Sequence, residues 1–148
     1  MKYLIAVIMV IASAWVPAAA QAKGGIAVEH AWARASPKGA VSGVTYLTVV
    51  NNGSESDRLI GASSPVAENI QFHEMKVEDG ISKMRQLQSI DIPQGTKVSL
   101  KPDGIHMMMR LNQQLREGES FPLTLDFEKA GAVELTVKIG KVGAMSEM

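Results

Sequence analysis

Residues 123–139 read LTLDFEKAGAVELTVKI, and in them apolar and polar side chains alternate on both sides of Gly131. Successive side chains of a β-strand point to opposite faces of the sheet, so this alternation indicates two strands that each bury one face. Further short runs of strand-forming residues occur at 44–50, 70–75, 97–100 and 105–111. Because no long segment has the apolar period of a helix, we predict an all-β domain, an antiparallel Greek-key sandwich or barrel.

The first 22 residues have the pattern of a cleaved secretory signal peptide. Lys2 supplies a positive start, residues 3–16 form an almost wholly apolar run, and cleavage is expected after Ala20 or Ala22. A membrane-spanning helix needs about 20 apolar residues, so this run is too short to anchor the chain. We expect a periplasmic protein with no stable membrane insertion, in which residues 23–148 form one domain with a short flexible tail from about residue 140.

Composition excludes several classes of partner and site. The chain has 15 basic and 15 acidic residues and no basic run, so nucleic acid is not an expected partner. It has no cysteine, which excludes disulfides, thiolate metal ligands and a lipid-modified cysteine at the cleavage point. Any soft metal ligand must therefore be the thioether of one of the nine methionines.

Strand parity separates the three consecutive methionines of residues 105–111. One face of this strand carries Met107 and Met109 between two further aliphatic residues, which is the pattern of a core stripe. The other face carries His106 and Met108. We therefore assign Met107 and Met109 to the core and expect His106 and Met108 to point away from it.

A hairpin brings a second histidine and two more methionines to the same kind of face. In residues 70–75 the apolar pair defines the core side, so His73 and Met75 point to the other side. Asp79-Gly80 is a strong signal for a two-residue hairpin turn, and such a turn sets Met75 opposite Met84. Paired residues share a face, so this histidine and both methionines should lie together.

These side chains form a neutral, soft ligand set. Imidazole with thioether selects Cu(I) over hard cations, and neutral ligands favour the lower charge of Cu(I) over that of Cu(II). Zinc is the main competitor, although it prefers cysteine, histidine or carboxylate. Filling gaps in the core, the commonest role of methionine, explains Met107 and Met109 but explains Met84 and Met108 poorly. His30 has no neighbours at metal-ligand spacing, and we interpret it as structural.

The spacing of four of these residues resembles the signature of the periplasmic PCu(A)C-type copper chaperones. His73 is followed after ten residues by Met84, then after twenty-one by His106, and after one more by Met108. The segments AWARASP and LKPDG also resemble that family, and the similarity covers residues 28–139.

The resemblance implies a cupredoxin-like β-sandwich and one Cu(I) per chain, held by the two histidines and two methionines of the signature. Met75, on the same face, is a candidate auxiliary ligand. The family resemblance further implies delivery of copper to the binuclear centre of a haem–copper (cytochrome c) oxidase. The acceptor would be the oxidase subunit or another assembly factor, and the chaperone a monomer. We do not expect a second copper site in the tail, because Met145 and Met148 have no histidine beside them.

Three other functions are alternatives to copper delivery. Electron transfer at a blue-copper site needs a cysteine thiolate, and the chain has none. Catalysis is not expected, because no nucleophile–base motif or carboxylate pair is recognisable. Copper storage or resistance without a dedicated acceptor uses the same ligands, so the sequence leaves that alternative open.

Overall fold

The computed structural model describes residues 24–147, which contain only strands, bends and turns. The predicted signal peptide, residues 1–22, and Met148 lie outside the described residues. Within 24–147 no helix is long and apolar enough to cross a membrane. The ten strands are β1 Ile26–Arg34, β2 Ser42–Asn51, β3 Asp57–Ser63, β4 Ala67–Glu78, β5 Ile81–Leu87, β6 Ile90–Ile92, β7 Lys97–Ser99, β8 Ile105–Leu111, β9 Ser120–Phe127 and β10 Gly131–Gly140. The predicted all-β class is confirmed.

The strands form one sheet in the order β5-β4-β8-β2-β1-β10-β9-β3-β6, with β7 added beside β2. All of these pairs are antiparallel except β1 with β10, which run parallel. Neighbours in the sheet such as β4 and β8 are far apart in sequence, as in a Greek-key arrangement. Strands β3 and β4, distant in the sheet order, contact each other, so the sheet folds over and closes around one core.

The predicted core stripe of β8 is confirmed. Met107 and Met109 are both 0% exposed and pack in the main hydrophobic cluster with Phe72 of β4. The hydroxyl of Thr45 on β2 donates a hydrogen bond to the sulfur of Met109 at 2.9 Å, which satisfies a buried polar group inside the core. The face of β8 that carries Met107 is therefore fixed by burial and by a specific polar contact.

The hairpin of β4 and β5 has the predicted register. Asp79 and Gly80 have φ of 51° and 76°, the left-handed conformation that both central residues of a type I′ turn require. Met75 pairs with Met84 as expected. β8 pairs with β4 only as far as Glu74, so the tip of the hairpin extends beyond the rest of the sheet.

A β-bulge in β1 changes which of its side chains face the core. The register between β1 and β2 shifts between Glu29 and Trp32, and His30 within the shift has φ of 52°. Val28 before the bulge and Ala33 after it are both buried in the core cluster, so the inward positions change from even to odd numbers. Trp32 consequently points to the outer face of the sheet.

The segment after β10 contacts the same outer face. Arg34 Nε donates a hydrogen bond to the carbonyl oxygen of Ala144 at 2.6 Å, and its guanidinium lies 3.1 Å from the sulfur of Met145. Glu147 Oε2 lies 2.7 Å from Nδ1 of the exposed His30. These contacts place the described end of the chain against β1.

The opposite orientations of neighbouring methionines predict opposite effects of mutation. Met107→Ala and Met109→Ala should each reduce the free energy of unfolding by about 2–5 kcal/mol, because each leaves a cavity in the core. Met108→Leu should change it by less than about 0.5 kcal/mol, since this side chain is only half-buried on the other face. Urea unfolding of the metal-free protein measures all three. A larger loss for the Met108 variant than for the Met107 variant would contradict the parity.

Candidate metal centre

The pairing of β4 with β8 brings the two candidate histidines together. His73 and His106 are direct partners in the register of these strands. Their ring centroids are 5.9 Å apart and their planes stand at 69° to each other. Residues separated by 33 positions in sequence thus share one outer face, as the parity of both strands predicts.

Met84 of β5 lies in direct contact with His73. Its sulfur is 3.2 Å from His73 Nδ1, and its side chain is 50% exposed. Met75, the cross-strand partner of Met84, is half-buried on the same face. The hairpin therefore supplies two thioethers beside one imidazole, at the open edge of the site.

Met108 is placed by register rather than by a direct contact. It pairs with Gln71 on β4 and with Val44 on β2, two residues along from the histidine pair and therefore on the same side of the sheet. Its side chain is half-buried. The two histidines and Met84 form a contiguous group, and Met108 lies on the same face in the next row of side chains.

His106 differs from the sequence-based expectation in its burial. It lies on the face opposite the methionine core, as predicted, yet it is only 4% exposed. The ring centroid of Tyr46 lies 6.5 Å from that of His106. Trp32 packs against Tyr46 with ring centroids 4.6 Å apart, and the Arg34 guanidinium lies over the Tyr46 ring. A second buried layer on the outer face therefore covers this histidine.

This surrounding layer favours the uncharged form of His106. Burial lowers the pKa of His106, a hydrogen bond to the carbonyl of Gly104 opposes this in part, and the electrostatic interactions with His73 and Arg34 lower the pKa further. Only a neutral imidazole can bind a metal ion, so the lowered pKa favours the ligand form.

The layer of Trp32, Tyr46 and Arg34 was not found by sequence reasoning. The alternation of β1 is interrupted by the bulge, so its outward residues could not be read from a fixed period of two. The available signal was a pair of aromatic residues in flanking strands, Trp32 on β1 and Tyr46 on β2.

The donor set of this face suits a soft cation. Within residues 24–147, histidine, aspartate and glutamate side chains form no group of three or more that could hold a hard ion. The described face instead offers two imidazoles and thioether sulfurs. A tetrahedral ion with bonds of about 2.0 Å to nitrogen and about 2.3 Å to sulfur, lengths typical of zinc sites, separates the two donors by about 3.5 Å. The 3.2 Å between His73 Nδ1 and Met84 Sδ is close to that value.

Two sequence comparisons match this chain to proteins described as putative lipoproteins. The model of the family described as "Putative lipoprotein LpqE-like" matches residues 26–139. A protein of Leifsonia xyli subsp. xyli (strain CTCB07), named putative lipoprotein Lxx21020, is 31% identical over 137 residues, which is 88% of this chain and 81% of the relative.

Two solved structures have the same fold as this chain. The copper-bound PCuAC domain from PmoF2 is 30% identical, covers 82% of this chain and 97% of its own, and has a TM-score of 0.71. The solution structure of CuI-DR1885 from Deinococcus radiodurans is 24% identical, covers 83% of this chain and 81% of its own, and shares the fold with a TM-score of 0.62. The chain belongs to the LpqE-like family, which is the family of PCu(A)C-type domains.

Proposed function

We propose that this protein is a periplasmic copper chaperone that binds one Cu(I) ion through His73, Met84, His106 and Met108. The observation that carries the proposal is the shared outer face of β4, β5 and β8, which presents two imidazoles, the thioethers of Met84 and Met108 with that of Met75 beside Met84, and no charged ligand. Such ligands prefer Cu(I) to magnesium, calcium or Cu(II). The copper named for the PmoF2 domain, a relative at 30% identity, supports the same cargo here.

Unequal burial of the ligands gives the ion an inner and an outer side. His106 is buried under Tyr46, whereas Met84 is half exposed on the edge hairpin. An incoming thiolate or imidazole of another protein can therefore replace Met84 first, while His106 still holds the ion. Copper can then pass through a shared intermediate without being released into solvent.

The two faces of the hairpin differ in charge. The face that carries Met84 also carries Met75, Val77 and Ser82, none of which is charged. The opposite face carries ion pairs of Arg85 with Glu74 at 2.7 Å and of Lys83 with Glu78 at 3.4 Å.

Val77 is 70% exposed, so the uncharged face extends from the metal ligands to the tip of the hairpin. We infer that an acceptor approaches over this face. Contact between two uncharged surfaces there would exclude water while the copper ligands exchange.

The proposed acceptor is the binuclear copper centre of a haem–copper oxidase or an assembly factor that serves it. Its support is the resemblance to the PCu(A)C-type chaperones, together with the exported location that the N-terminal sequence predicts. The names of the family and of the Leifsonia relative, both putative lipoproteins, are consistent with export. This chain contains no cysteine, so it has no residue that corresponds to the lipid-modified cysteine of a lipoprotein.

Copper titration of single variants tests the ligand set. Anaerobic competition with a chromophoric Cu(I) chelator should give one tight site per chain. Met84→Leu and Met108→Leu should each lower the affinity at least about tenfold, or 1.4 kcal/mol, because leucine keeps the volume and removes the sulfur. Met75→Leu should have a smaller effect, as expected of an auxiliary ligand. Met145→Leu is the control, because the sulfur of Met145 contacts Arg34 and neither histidine.

Unchanged Cu(I) affinity in the double variant Met84→Leu/Met108→Leu would contradict the proposed site. Tight Cu(II) binding that survives the same double mutation would contradict the proposed oxidation state.

The affinity for Cu(I) should fall at acidic pH and should not change at alkaline pH. An unperturbed histidine titrates near pH 6.5, and burial lowers the pKa of His106. Protons therefore compete with Cu(I) for His106 only below about pH 6.5, and affinity should fall as the pH decreases further. Above about pH 7 His106, with its lowered pKa, is neutral and thioethers do not titrate, so the affinity for Cu(I) should be constant. Competition titrations from pH 5 to 9 measure this. Affinity that rises steeply between pH 7 and 9 would indicate a ligand outside the proposed set.

A charged residue introduced on one or the other face of the hairpin tests which face the acceptor contacts. Val77→Asp should slow copper transfer to an apo domain carrying the binuclear copper site of cytochrome c oxidase, by about tenfold or more, because a carboxylate must be desolvated at the contact. Ile81→Asp is the matched control, since Ile81 is 60% exposed on the same hairpin but faces the other way. Stopped-flow spectroscopy follows the transfer, and both variants should keep wild-type Cu(I) affinity.

Equal rates for the two variants would contradict approach over the uncharged face. Wild-type transfer no faster than loss to a bulky chelator of matched affinity would mean that copper dissociates before capture. The protein would then be a copper store or buffer, not a delivery chaperone.

A further inference from the structure

The two histidines of the metal centre are held by different nitrogens. His73 Nε2 lies 3.1 Å from the amide oxygen of Gln71, and its Nδ1 lies 3.2 Å from the sulfur of Met84. His106 Nδ1 lies 3.2 Å from the carbonyl oxygen of Gly104. A neutral imidazole has one N–H, and the nitrogen without it is the one that binds a metal. These contacts therefore determine which nitrogen each ring can offer.

We propose that Gln71 is a positioning residue that selects Nδ1 of His73 as the copper ligand, whereas the Gly104 carbonyl selects Nε2 of His106. The inference rests on the proposed function, in which both histidines bind Cu(I). Amide and carbonyl oxygens accept hydrogen bonds and cannot donate them. Both contacts of the His73 ring are acceptors, but an amide oxygen is a much stronger acceptor than a thioether sulfur, so the single proton of His73 belongs on Nε2. The Gly104 carbonyl likewise places the proton of His106 on Nδ1, and the other nitrogen of each ring keeps its lone pair.

For His73 this assignment directs a lone pair at Met84. With the proton on Nε2, both Nδ1 and the methionine sulfur present lone pairs to each other across 3.2 Å. Two acceptors face each other favourably only when a cation lies between them, and a soft monovalent ion meets that requirement. The contact with Gln71 thus makes the pair of His73 and Met84 receptive to Cu(I) before any ion arrives.

Gln71 lies where it can support both halves of the site. It precedes His73 by two residues on β4, so the two side chains are neighbours on the outer face. Its cross-strand partner on β8 is Met108. The half-buried amide of Gln71 therefore lies between an imidazole ligand and a thioether ligand. It contacts the ring of His73 and is the cross-strand neighbour of Met108.

The Gly104 carbonyl connects the two strands of the site. Besides the contact with His106, it accepts the backbone N–H of Met75 at 3.1 Å. One oxygen atom thus fixes the turn before β8 to β4, immediately beyond His73. Because His106 is buried, solvent does not compete for its Nδ1–H, and the ring is held in one orientation.

The ring nitrogens can be observed directly in the metal-free protein. Long-range proton–nitrogen correlation spectra of the ¹⁵N-labelled protein at pH 8 should show His73 protonated on Nε2 and His106 protonated on Nδ1. Addition of one equivalent of Cu(I) should shift Nδ1 of His73 and Nε2 of His106. A metal-free His73 protonated on Nδ1, or a Cu(I) shift at its Nε2, would overturn the inference.

Two leucine substitutions isolate the role of Gln71. Gln71→Leu should give His73 a mixture of tautomers and weaken Cu(I) binding about 10- to 100-fold, the usual effect of removing a partner that orients a metal ligand. Gln86→Leu is the matched control, because Gln86 is the direct cross-strand partner of His73 on β5 and is exposed. It should leave the tautomer and the affinity unchanged. Gln71→Glu keeps an accepting oxygen and should retain the Nε2–H form.

The outcomes separate the inference from the proposed function. If Gln71→Leu keeps both the single tautomer and wild-type affinity while His73→Ala and His106→Ala lose binding, the role of Gln71 is refuted and the copper site stands. If wild-type protein does not bind Cu(I), the proposed function fails whatever the tautomers are.

Discussion

The register between β4 and β8 is the constraint on which the fold and the site both depend. It sets His73 opposite His106 on one face and Phe72 opposite Met107 on the other. A slip of one residue would turn every side chain of one strand to the other face, burying a histidine and exposing core methionines. The free energy gained by burying Phe72, Met107 and Met109 therefore also holds the imidazoles together. The packing of the core therefore assembles this shared outer face by itself.

The outer face of the sheet is covered by side chains at one end and open to solvent at the other. The bulge in β1 turns Trp32 outward to pack against Tyr46, and this layer covers His106 but leaves the β4–β5 hairpin uncovered. The site is consequently dry on one side and open on the other. A dry side favours neutral ligands and a monovalent ion, while an open side allows ligands to be exchanged.

Sequence reasoning succeeded where a regular period or a strong turn signal was present. The alternation in residues 105–111 separated Met107 and Met109 from Met108, and Asp79-Gly80 fixed the pairing of Met75 with Met84; both features are found in the structure. These inferences depend on local geometry, since alternation and turn type are properties of neighbouring residues.

Features that depend on irregular backbone or on contacts distant in sequence could not be predicted. The bulge at His30 breaks the period of β1, so the outward turn of Trp32 and the burial of His106 were missed. The parallel pairing of β1 with β10 joins strands a hundred residues apart and leaves no local pattern. The hydrogen bonds of Gln71 and Gly104 to the two rings depend on side-chain rotamers, which the order of residues does not specify.

X-ray absorption at the copper K-edge of the Cu(I)-loaded protein tests the central claim most directly. We predict a Cu(I) edge with both imidazole nitrogen and thioether sulfur in the coordination shell, and loss of the sulfur scattering in the double variant Met84→Leu/Met108→Leu. A shell of nitrogen and oxygen alone, or sulfur scattering that is unchanged in the double variant, would contradict a site assembled from the shared outer face of β4, β5 and β8.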